Sequence, residues 1–161
     1  MPYFELELFT MAKICFCASS GGHLKQLMQL FPLMEATDSF IVTEKVDRQN
    51  LDVPIPVYYL ELVNRKSLTP KQAAQNIKTA KNILKKEKPD VIISTGVLAT
   101  VPLCLLAKRR KIKIIYIESF AKVHSPTMTG KLMYRIADRF YVQWPSMKVV
   151  YPDAVYVGGV Y

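Results

Sequence analysis

The sequence is poor in cysteine and has no long apolar run. Its 161 residues include three cysteines, Cys15, Cys17 and Cys104. Because their number is odd and their neighbours are apolar, we predict buried, reduced thiols in a cytosolic protein rather than a disulfide framework. No stretch approaches the roughly 20 apolar residues that a membrane-spanning helix needs. The opening segment, MPYFELELFT, lacks the basic flank and long apolar region of a secretory signal peptide.

Several nucleotide-binding and metal-binding motifs are also missing. The dinucleotide fingerprint G-x-G-x-x-G and the P-loop lysine followed by serine or threonine are both absent, which argues against NAD and ATP as ligands. No second pair of metal ligands accompanies the cysteines and no acidic D-x-D pair is present, so we predict neither a metal nor a cofactor. The sequence has no zinc-finger spacing and no basic strand interleaved with aromatics, so nucleic acid is a poor candidate partner.

What the chain does contain is enough apolar sequence for one globular domain. Half of its residues are hydrophobic and 22% are charged, which is sufficient for a substantial core. The 22 basic and 13 acidic residues give a formal charge of +9, which favours an anionic partner such as a phosphorylated substrate or anionic lipid. We assign residues 1–10 to an N-terminal extension and residues 11–161 to the domain. The alternation of Phe4, Leu6 and Leu8 equally fits an added edge strand.

Short apolar runs alternate with helical periodicities along the chain. The runs predict seven strands, at residues 13–18, 39–43, 57–62, 90–94, 113–117, 139–142 and 154–157. Helical spacing predicts intervening helices at residues 24–34, 71–88, 97–110 and 129–137. For the second of these, Thr69 is a candidate N-cap before Pro70. Its predicted buried positions are Ala73, Ile77, Ala80 and Leu84.

This order of elements predicts an α/β fold. We expect a single domain built on a doubly wound, mostly parallel, Rossmann-like sheet with helices on both faces. In such sheets ligands bind beyond the carboxyl ends of the strands, where the strand order reverses. The polar segments that follow the predicted strands are therefore the candidate site.

The first polar segment is Ser19-Ser20-Gly21-Gly22-His23, between the first strand and the first helix. Its glycines allow close approach of a ligand, and a helix start offers amide donors and partial positive charge to a phosphate or diphosphate. A helix start also favours the neutral form of His23, which could then accept a proton from a hydroxyl group. A tight turn with a capping serine and a structural histidine is the alternative.

Two further segments follow the fourth and fifth strands. Ser94-Thr95-Gly96 repeats the pattern of small polar residues plus glycine, and could share a cleft with the first segment or be a routine connection. In Glu118-Ser119, the carboxylate could orient a sugar hydroxyl or act as a base, or it could pair with a lysine. The basic run Lys108 to Lys111 ends an apolar helix, so it could complement the helix dipole or lie near anionic lipid.

Several stretches, taken together in chain order, resemble a known family. They are SGGH at residues 20–23, TGVLATVP at 95–102, YIES at 116–119, MTGK at 128–131, ADRFYVQWP at 137–145 and YPDAVYVGG at 151–159. This set resembles the PssD-type subunits of bacterial capsule and exopolysaccharide synthesis. These are relatives of the membrane-anchoring subunit of the eukaryotic dolichol-linked N-acetylglucosamine transferase.

The resemblance implies the acceptor-side, N-terminal half of a GT-B glycosyltransferase such as MurG. A PssE-type partner would bind the UDP-sugar, and the acceptor would be a sugar on undecaprenyl diphosphate at the cytoplasmic face of the plasma membrane. Association with the membrane would be peripheral. By the same resemblance, the loop of Ser20, Gly21, Gly22 and His23 would face the acceptor's diphosphate. The full set of predicted substrate-binding residues is Ser19, Ser20, Gly21, Gly22, His23, Thr95, Gly96 and Ser119. His23 is the first candidate for the catalytic residue and Glu118 the second; Trp144 and Pro145 would pack the late helix or the partner surface.

The sequence is also compatible with two other functions. The chain could be a non-catalytic scaffold or activator of the partner transferase. It could also be a stand-alone, Rossmann-like nucleotide-binding enzyme.

Overall fold

A computed structural model describes residues 12–45, 51–63, 69–96 and 98–161. The predicted N-terminal extension lies outside these residues. The seven strands are β1 (Lys13–Ala18), β2 (Asp38–Glu44), β3 (Val57–Leu60), β4 (Val91–Gly96), β5 (Lys113–Ile117), β6 (Arg139–Val142) and β7 (Val155–Tyr156). The helices within the described residues are α1 (Gly22–Leu27), α2 (Phe31–Glu35), α3 (Pro70–Glu87), α4 (Val101–Arg109) and α5 (Met128–Ile136). Single 3₁₀ turns occupy Met28–Leu30, Leu98–Thr100 and Pro145–Val149.

The strands form one seven-stranded sheet in the order β3-β2-β1-β4-β5-β6-β7. Every neighbouring pair is parallel. The chain builds outward from β1 in one direction, then crosses back to place β4 on the other side of β1. This reversal between β1 and β4 confirms the predicted doubly wound sheet and brings the carboxyl ends of those two strands together.

Helices cover both faces of the sheet. On one face α3, α4 and α5 bury apolar side chains against the strands, and on the other α1 and α2 do so through Leu27 and Met34. Cys15, Cys17 and Cys104 are free thiols buried in the first of these layers, as predicted from their neighbours. Burial raises the pKa of the Cys15 thiol, and a hydrogen bond with Cys17 together with burial raises the pKa of the Cys104 thiol, so both thiols stay protonated.

Helix α3 begins at the predicted cap. The Thr69 hydroxyl accepts from the Gln72 backbone amide at 3.2 Å, and the Gln72 side chain accepts from the Thr69 amide at 3.0 Å, which makes a complete capping box. The prediction that Ile77 is buried is wrong, because that side chain is 45% exposed. The buried stripe instead runs through Asn76, Ala80, Ile83 and Leu84. Asn76 belongs to it because its amide bonds both the N–H and the carbonyl of Glu61.

Two other predicted elements differ from the structure for local reasons. The helix expected over residues 24–34 is divided into α1, a 3₁₀ turn and α2, and Pro32 lies in the first turn of α2, where its missing N–H costs no helical bond. Strand β3 ends at Leu60 rather than residue 62, because the next backbone N–H bonds Asn76 instead of a neighbouring strand. In the part of the chain that the structure describes, no helix combines the length and the apolarity needed to cross a membrane.

Candidate functional site

The carboxyl ends of β1 and β4 are joined at the reversal of strand order. The Ser19 backbone N–H donates to the Gly96 carbonyl at 2.9 Å. Gly96 has a φ of +98°, and a Cβ there would lie 3.0 Å from the Tyr116 hydroxyl and 3.5 Å from His23 Nδ1. Glycine is therefore favoured by the backbone conformation and by the close approach of the Tyr116 hydroxyl, while the His23 ring lies at ordinary contact distance.

Thr95 holds His23 in a single orientation. His23 Nδ1 lies 2.8 Å from the Thr95 carbonyl oxygen, and the Thr95 hydroxyl donates to the His23 carbonyl at 2.9 Å. Because a carbonyl oxygen only accepts hydrogen bonds, Nδ1 carries a proton. In the neutral ring, Nε2 is then the unprotonated nitrogen that can accept a proton. Thr95 itself is fully buried, so it positions the histidine and does not face solvent.

The amide and hydroxyl of Ser20 are used inside the protein. Both donate to the Glu44 carboxylate, at 3.3 and 3.4 Å, and the Val63 amide donates to the same carboxyl group at 2.9 Å. Contact between Ser20 and a ligand stays a prediction, and a ligand would have to compete with Glu44 for these donors. Gly21 has a φ of +78°, which turns the chain into α1. The first N–H groups of that helix have no partner within it.

A cavity of about 470 Å³ opens beside His23. Its lining residues come from α1, from the loop after β5 and from the end of the chain: Gly22, His23, Gln26, Ser119, Phe120, Ala121 and Tyr161. This volume lies within the range of small-molecule sites. The structure therefore brings three predicted site residues, Gly22, His23 and Ser119, to one cavity. Gln26, Phe120 and Tyr161 were not predicted; the signal available for Gln26 was its place one helical turn after His23.

Glu118 is turned into the protein interior. Its side chain is 1% exposed and does not line the cavity. The carboxylate accepts hydrogen bonds from the Ser119 amide, the Thr127 hydroxyl and the Tyr151 hydroxyl at 2.8–3.0 Å, and from the Thr127 amide at 3.3 Å. Burial and the nearby carboxylate both raise the pKa of Tyr151, so the phenol remains a donor. These contacts favour a structural role in which Glu118 holds Ser119, Thr127 and Tyr151 in place. Its catalytic role stays a prediction.

Replacing Glu118 by glutamine should lower the free energy of unfolding by about 1–3 kcal/mol. The new NH₂ group cannot accept hydrogen bonds, yet it would face N–H and O–H donors that the carboxylate oxygen now accepts from. Thermal or urea unfolding measures the change. Glu61→Gln is the matched control, since Glu61 is exposed and only its backbone is bonded to Asn76. An equal effect of both substitutions would contradict the structural role.

Two buried glutamines hold the loop that lines the cavity. Gln26 and Gln143 both donate to the Glu118 carbonyl, at 3.3 and 2.8 Å. The other end of each amide accepts a backbone N–H, that of Phe120 for Gln26 and that of Val160 for Gln143, both at 3.0 Å. One carbonyl at the end of β5 thus connects α1, the loop and the end of the chain. We call this arrangement the glutamine clamp.

Trp144 supports the same loop. Its indole N–H donates to the Phe120 carbonyl at 2.7 Å, and its ring packs against Phe120, whose other neighbour is Tyr161. Ser146 donates to the Val123 carbonyl further along. The VQWP stretch therefore orders the loop and the cavity wall within this chain, and the predicted contact of Trp144 and Pro145 with a partner stays a prediction.

Replacing Gln143 by leucine should lower the free energy of unfolding by about 1–3 kcal/mol, since the half-buried Val160 amide would lose its acceptor and the Glu118 carbonyl one of its donors. Hydrogen exchange at Val160 should become faster, which locates the effect. Gln75→Leu is the control, because this glutamine lies exposed on α3. Unchanged exchange at Val160 would show that the clamp does not hold the end of the chain.

In the described ranges, no group of three or more His, Cys, Asp or Glu side chains is arranged to hold a metal ion. What the site offers is one oriented imidazole, backbone amides at a helix start and a cavity with aromatic walls. Such a site can bind an uncharged or anionic ligand and remove a proton from it.

Residues 64–160 match the protein family described as "Oligosaccharide biosynthesis protein Alg14 like". The human protein named UDP-N-acetylglucosamine transferase subunit ALG14 is 25% identical over 177 residues, and the alignment covers 91% of this chain and 82% of the human chain. The protein of the same name from Schizosaccharomyces pombe is 43% identical over 75 residues, covering 44% of this chain and 36% of its own.

The fold is similar to solved structures of larger proteins. MurG from Acinetobacter baumannii superposes with a TM-score of 0.74 at 17% identity, over 92% of this chain and 45% of the MurG chain. UDP-N-acetylglucosamine 2-epimerase from Rickettsia bellii gives 0.72 at 19% identity, over 93% of this chain and 45% of its own. The chain thus spans a little under half the length of these proteins, and at such identities the likeness concerns the fold alone.

Proposed function

Because the chain belongs to the Alg14-like family of oligosaccharide biosynthesis proteins, we propose that it is the acceptor-binding subunit of a two-component, UDP-sugar-dependent glycosyltransferase. The acceptor is a sugar linked through a diphosphate to a lipid, and undecaprenyl is the proposed lipid. The product enters capsule or exopolysaccharide synthesis, as the PssD-type resemblance implies. Relatives named as subunits of a UDP-N-acetylglucosamine transferase make UDP-N-acetylglucosamine the first donor to test.

The observation that carries this proposal is the fixed tautomer of His23 at the edge of a cavity. With Nδ1 bonded to the Thr95 carbonyl, Nε2 is the proton acceptor of the neutral ring. The proposed step is removal of the proton from the acceptor hydroxyl as its oxygen attacks the anomeric carbon of the donor sugar. UDP leaves with the electron pair of the broken C–O bond. The amides at the start of α1 and the Ser119 region would hold the acceptor's diphosphate and sugar.

A second protein is needed to supply the donor site. The human and Schizosaccharomyces pombe relatives are each named as a subunit of a transferase, which supports a division of the enzyme between two polypeptides. We propose a PssE-type subunit that binds the UDP-sugar. No cofactor or metal is proposed, because a helix N-terminus on the partner can stabilise the leaving diphosphate.

Peripheral attachment to the cytoplasmic face of the plasma membrane completes the proposal. The three helices on one face of the sheet, α3, α4 and α5, contain five, two and two basic residues, against the single acidic residue Glu87. The chain as a whole has 22 basic and 13 acidic residues, so this layer is unusually rich in positive charge. Such a surface attracts anionic headgroups at about 1 kcal/mol per basic residue near the membrane.

The decisive experiment reconstitutes transfer from UDP-N-acetylglucosamine to a lipid-diphosphate-linked sugar. This chain and the candidate partner are purified separately, and each is omitted in turn. Turnover only with both proteins supports the proposal. Turnover that needs both proteins but is unchanged by His23→Ala and by Glu118→Ala would leave this chain a scaffold or activator. Activity or a retained nucleotide in this chain alone would make it a stand-alone enzyme.

A further inference from the structure

A second concave surface lies at the carboxyl edge of the sheet. This α4–α5 groove has a volume of about 380 Å³ and is lined by Leu98, Val101, Met128, Thr129 and Leu132. Four of the five lining side chains are apolar, yet the groove is open to solvent: Met128 is 73% exposed and Leu132 37%. Exposed apolar side chains gathered in a groove are typical of a surface that binds a ligand, a membrane or another protein.

Apolar side chains recur on both helices that border the groove. On the α4 side, Leu98, Val101 and Leu105 recur at helical spacing, and Leu105 is 40% exposed. On the α5 side, Met128 and Leu132 stand one turn apart and face the same groove. Methionine in the groove suits a flexible apolar chain, because its unbranched side chain adapts to irregular shapes.

The groove and the His23 cavity begin at the same two strand ends. β4 ends at Gly96, which lies against the His23 ring, and Leu98 of the groove is two residues later, at most about 7 Å along the chain. After β5, Ser119 lines the cavity, while its neighbour Glu118 lies directly above Gly130 at the start of α5. The cavity is on the α1 side of the sheet edge and the groove on the α4–α5 side.

We propose that the α4–α5 groove binds the isoprenoid chain of the lipid-linked acceptor. The sugar would lie in the His23 cavity, the diphosphate would cross the sheet edge near Gly96, and the first prenyl units would lie between Leu98, Met128 and Leu132. A single ligand with a polar head and an apolar tail accounts for a polar and an apolar site separated by so short a span. This inference rests on the proposed function, since it requires a lipid diphosphate as acceptor.

Soluble prenyl diphosphates test the groove without the partner or a membrane. Binding of inorganic diphosphate, methyl diphosphate and farnesyl diphosphate to the purified chain is measured by calorimetry. We expect farnesyl diphosphate to bind about tenfold or more tightly than methyl diphosphate, because the chain removes apolar area from water. The double variant Met128→Gln/Leu132→Gln should lose this gain and keep the affinity for methyl diphosphate. Val149→Gln, at a position that is 87% exposed outside the groove, should keep both.

The outcomes separate the groove from the proposed function. Binding of methyl diphosphate with no gain from the farnesyl chain overturns the groove assignment and leaves the acceptor head site standing. A gain that survives in the double variant places the chain elsewhere and also overturns it. Failure of all three ligands to bind overturns acceptor binding itself. If the double variant instead loses binding to vesicles of phosphatidylcholine and phosphatidylglycerol without losing the farnesyl gain, the groove is a bilayer contact and the inference is wrong.

Discussion

Replacing His23 by alanine should lower kcat/KM of the reconstituted enzyme by about 10²–10⁴-fold, the usual contribution of a general base. The structure gives the reason, because Thr95 fixes the ring with Nδ1 as donor and Nε2 as the proton acceptor. The loss should fall mainly on kcat, since the proposed proton transfer belongs to the chemical step. Initial rates at varied acceptor concentration, with the partner saturating, measure it.

Thr95→Val is the matched control for this variant. It removes the hydroxyl that bonds the His23 carbonyl but keeps the backbone carbonyl that fixes Nδ1. We therefore expect a loss of less than about tenfold, in line with one hydrogen bond. A His23→Ala enzyme with nearly normal kcat/KM would remove the histidine from the mechanism.

Gly130→Ala should cost about 3 kcal/mol or more of unfolding free energy, at the upper end of what overpacking causes. A Cβ at this position would lie 1.9 Å from Glu118 Oε2 and 2.6 Å from the Tyr151 hydroxyl. Neither group can move away cheaply, because the carboxylate is bound to Thr127, Ser119 and Tyr151. Urea unfolding, or the yield of soluble protein where the variant does not fold, gives the measurement.

Gly22→Ala serves as the control for Gly130→Ala, since a Cβ at Gly22 meets no atom within 4 Å. That substitution should leave stability within about 0.5 kcal/mol of the original. The double variant Gly130→Ala/Glu118→Ala should be less unstable than the two single effects predict together, because the second change removes the clash. Full additivity would mean that the crowding at Glu118 is not the cause.

The fold was predictable because each strand and helix shows its own local pattern. The runs at Lys13–Ala18 and Lys113–Ile117 became strands with the predicted bounds. Parallel pairing follows from alternation with helices, whereas the place of the reversal, between β1 and β4, is seen only in the structure. Ile77 shows the limit of periodicity: Asn76, a polar residue, takes the buried place beside it because Glu61 supplies hydrogen bonds from another element.

The site was predictable only in part, for a related reason. Gly22, His23, Thr95 and Gly96 stand next to strand ends, where local sequence indicates a ligand loop, and the structure brings them together. The hydrogen bonding of Glu118 inside the protein depends on Tyr151, 33 positions later. A contact between residues so far apart cannot be predicted from the local sequence. The same holds for the glutamine clamp, whose two side chains reach one carbonyl from opposite ends of the domain.

The all-parallel sheet has a consequence for how the chain folds. The interior strand β1 needs β4 as its neighbour, and the backbone N–H of Lys13 at its start donates to the Asp90 carboxylate, 77 positions later. No hairpin can nucleate such a sheet, so folding should be slow for a chain of this size, with the run KICFCA unpaired on one side until residue 96 has been synthesised. The folded sheet is less prone to edge-to-edge aggregation. Its outer strands β3 and β7 are only four and two residues long, so they offer few unpaired backbone groups to another molecule.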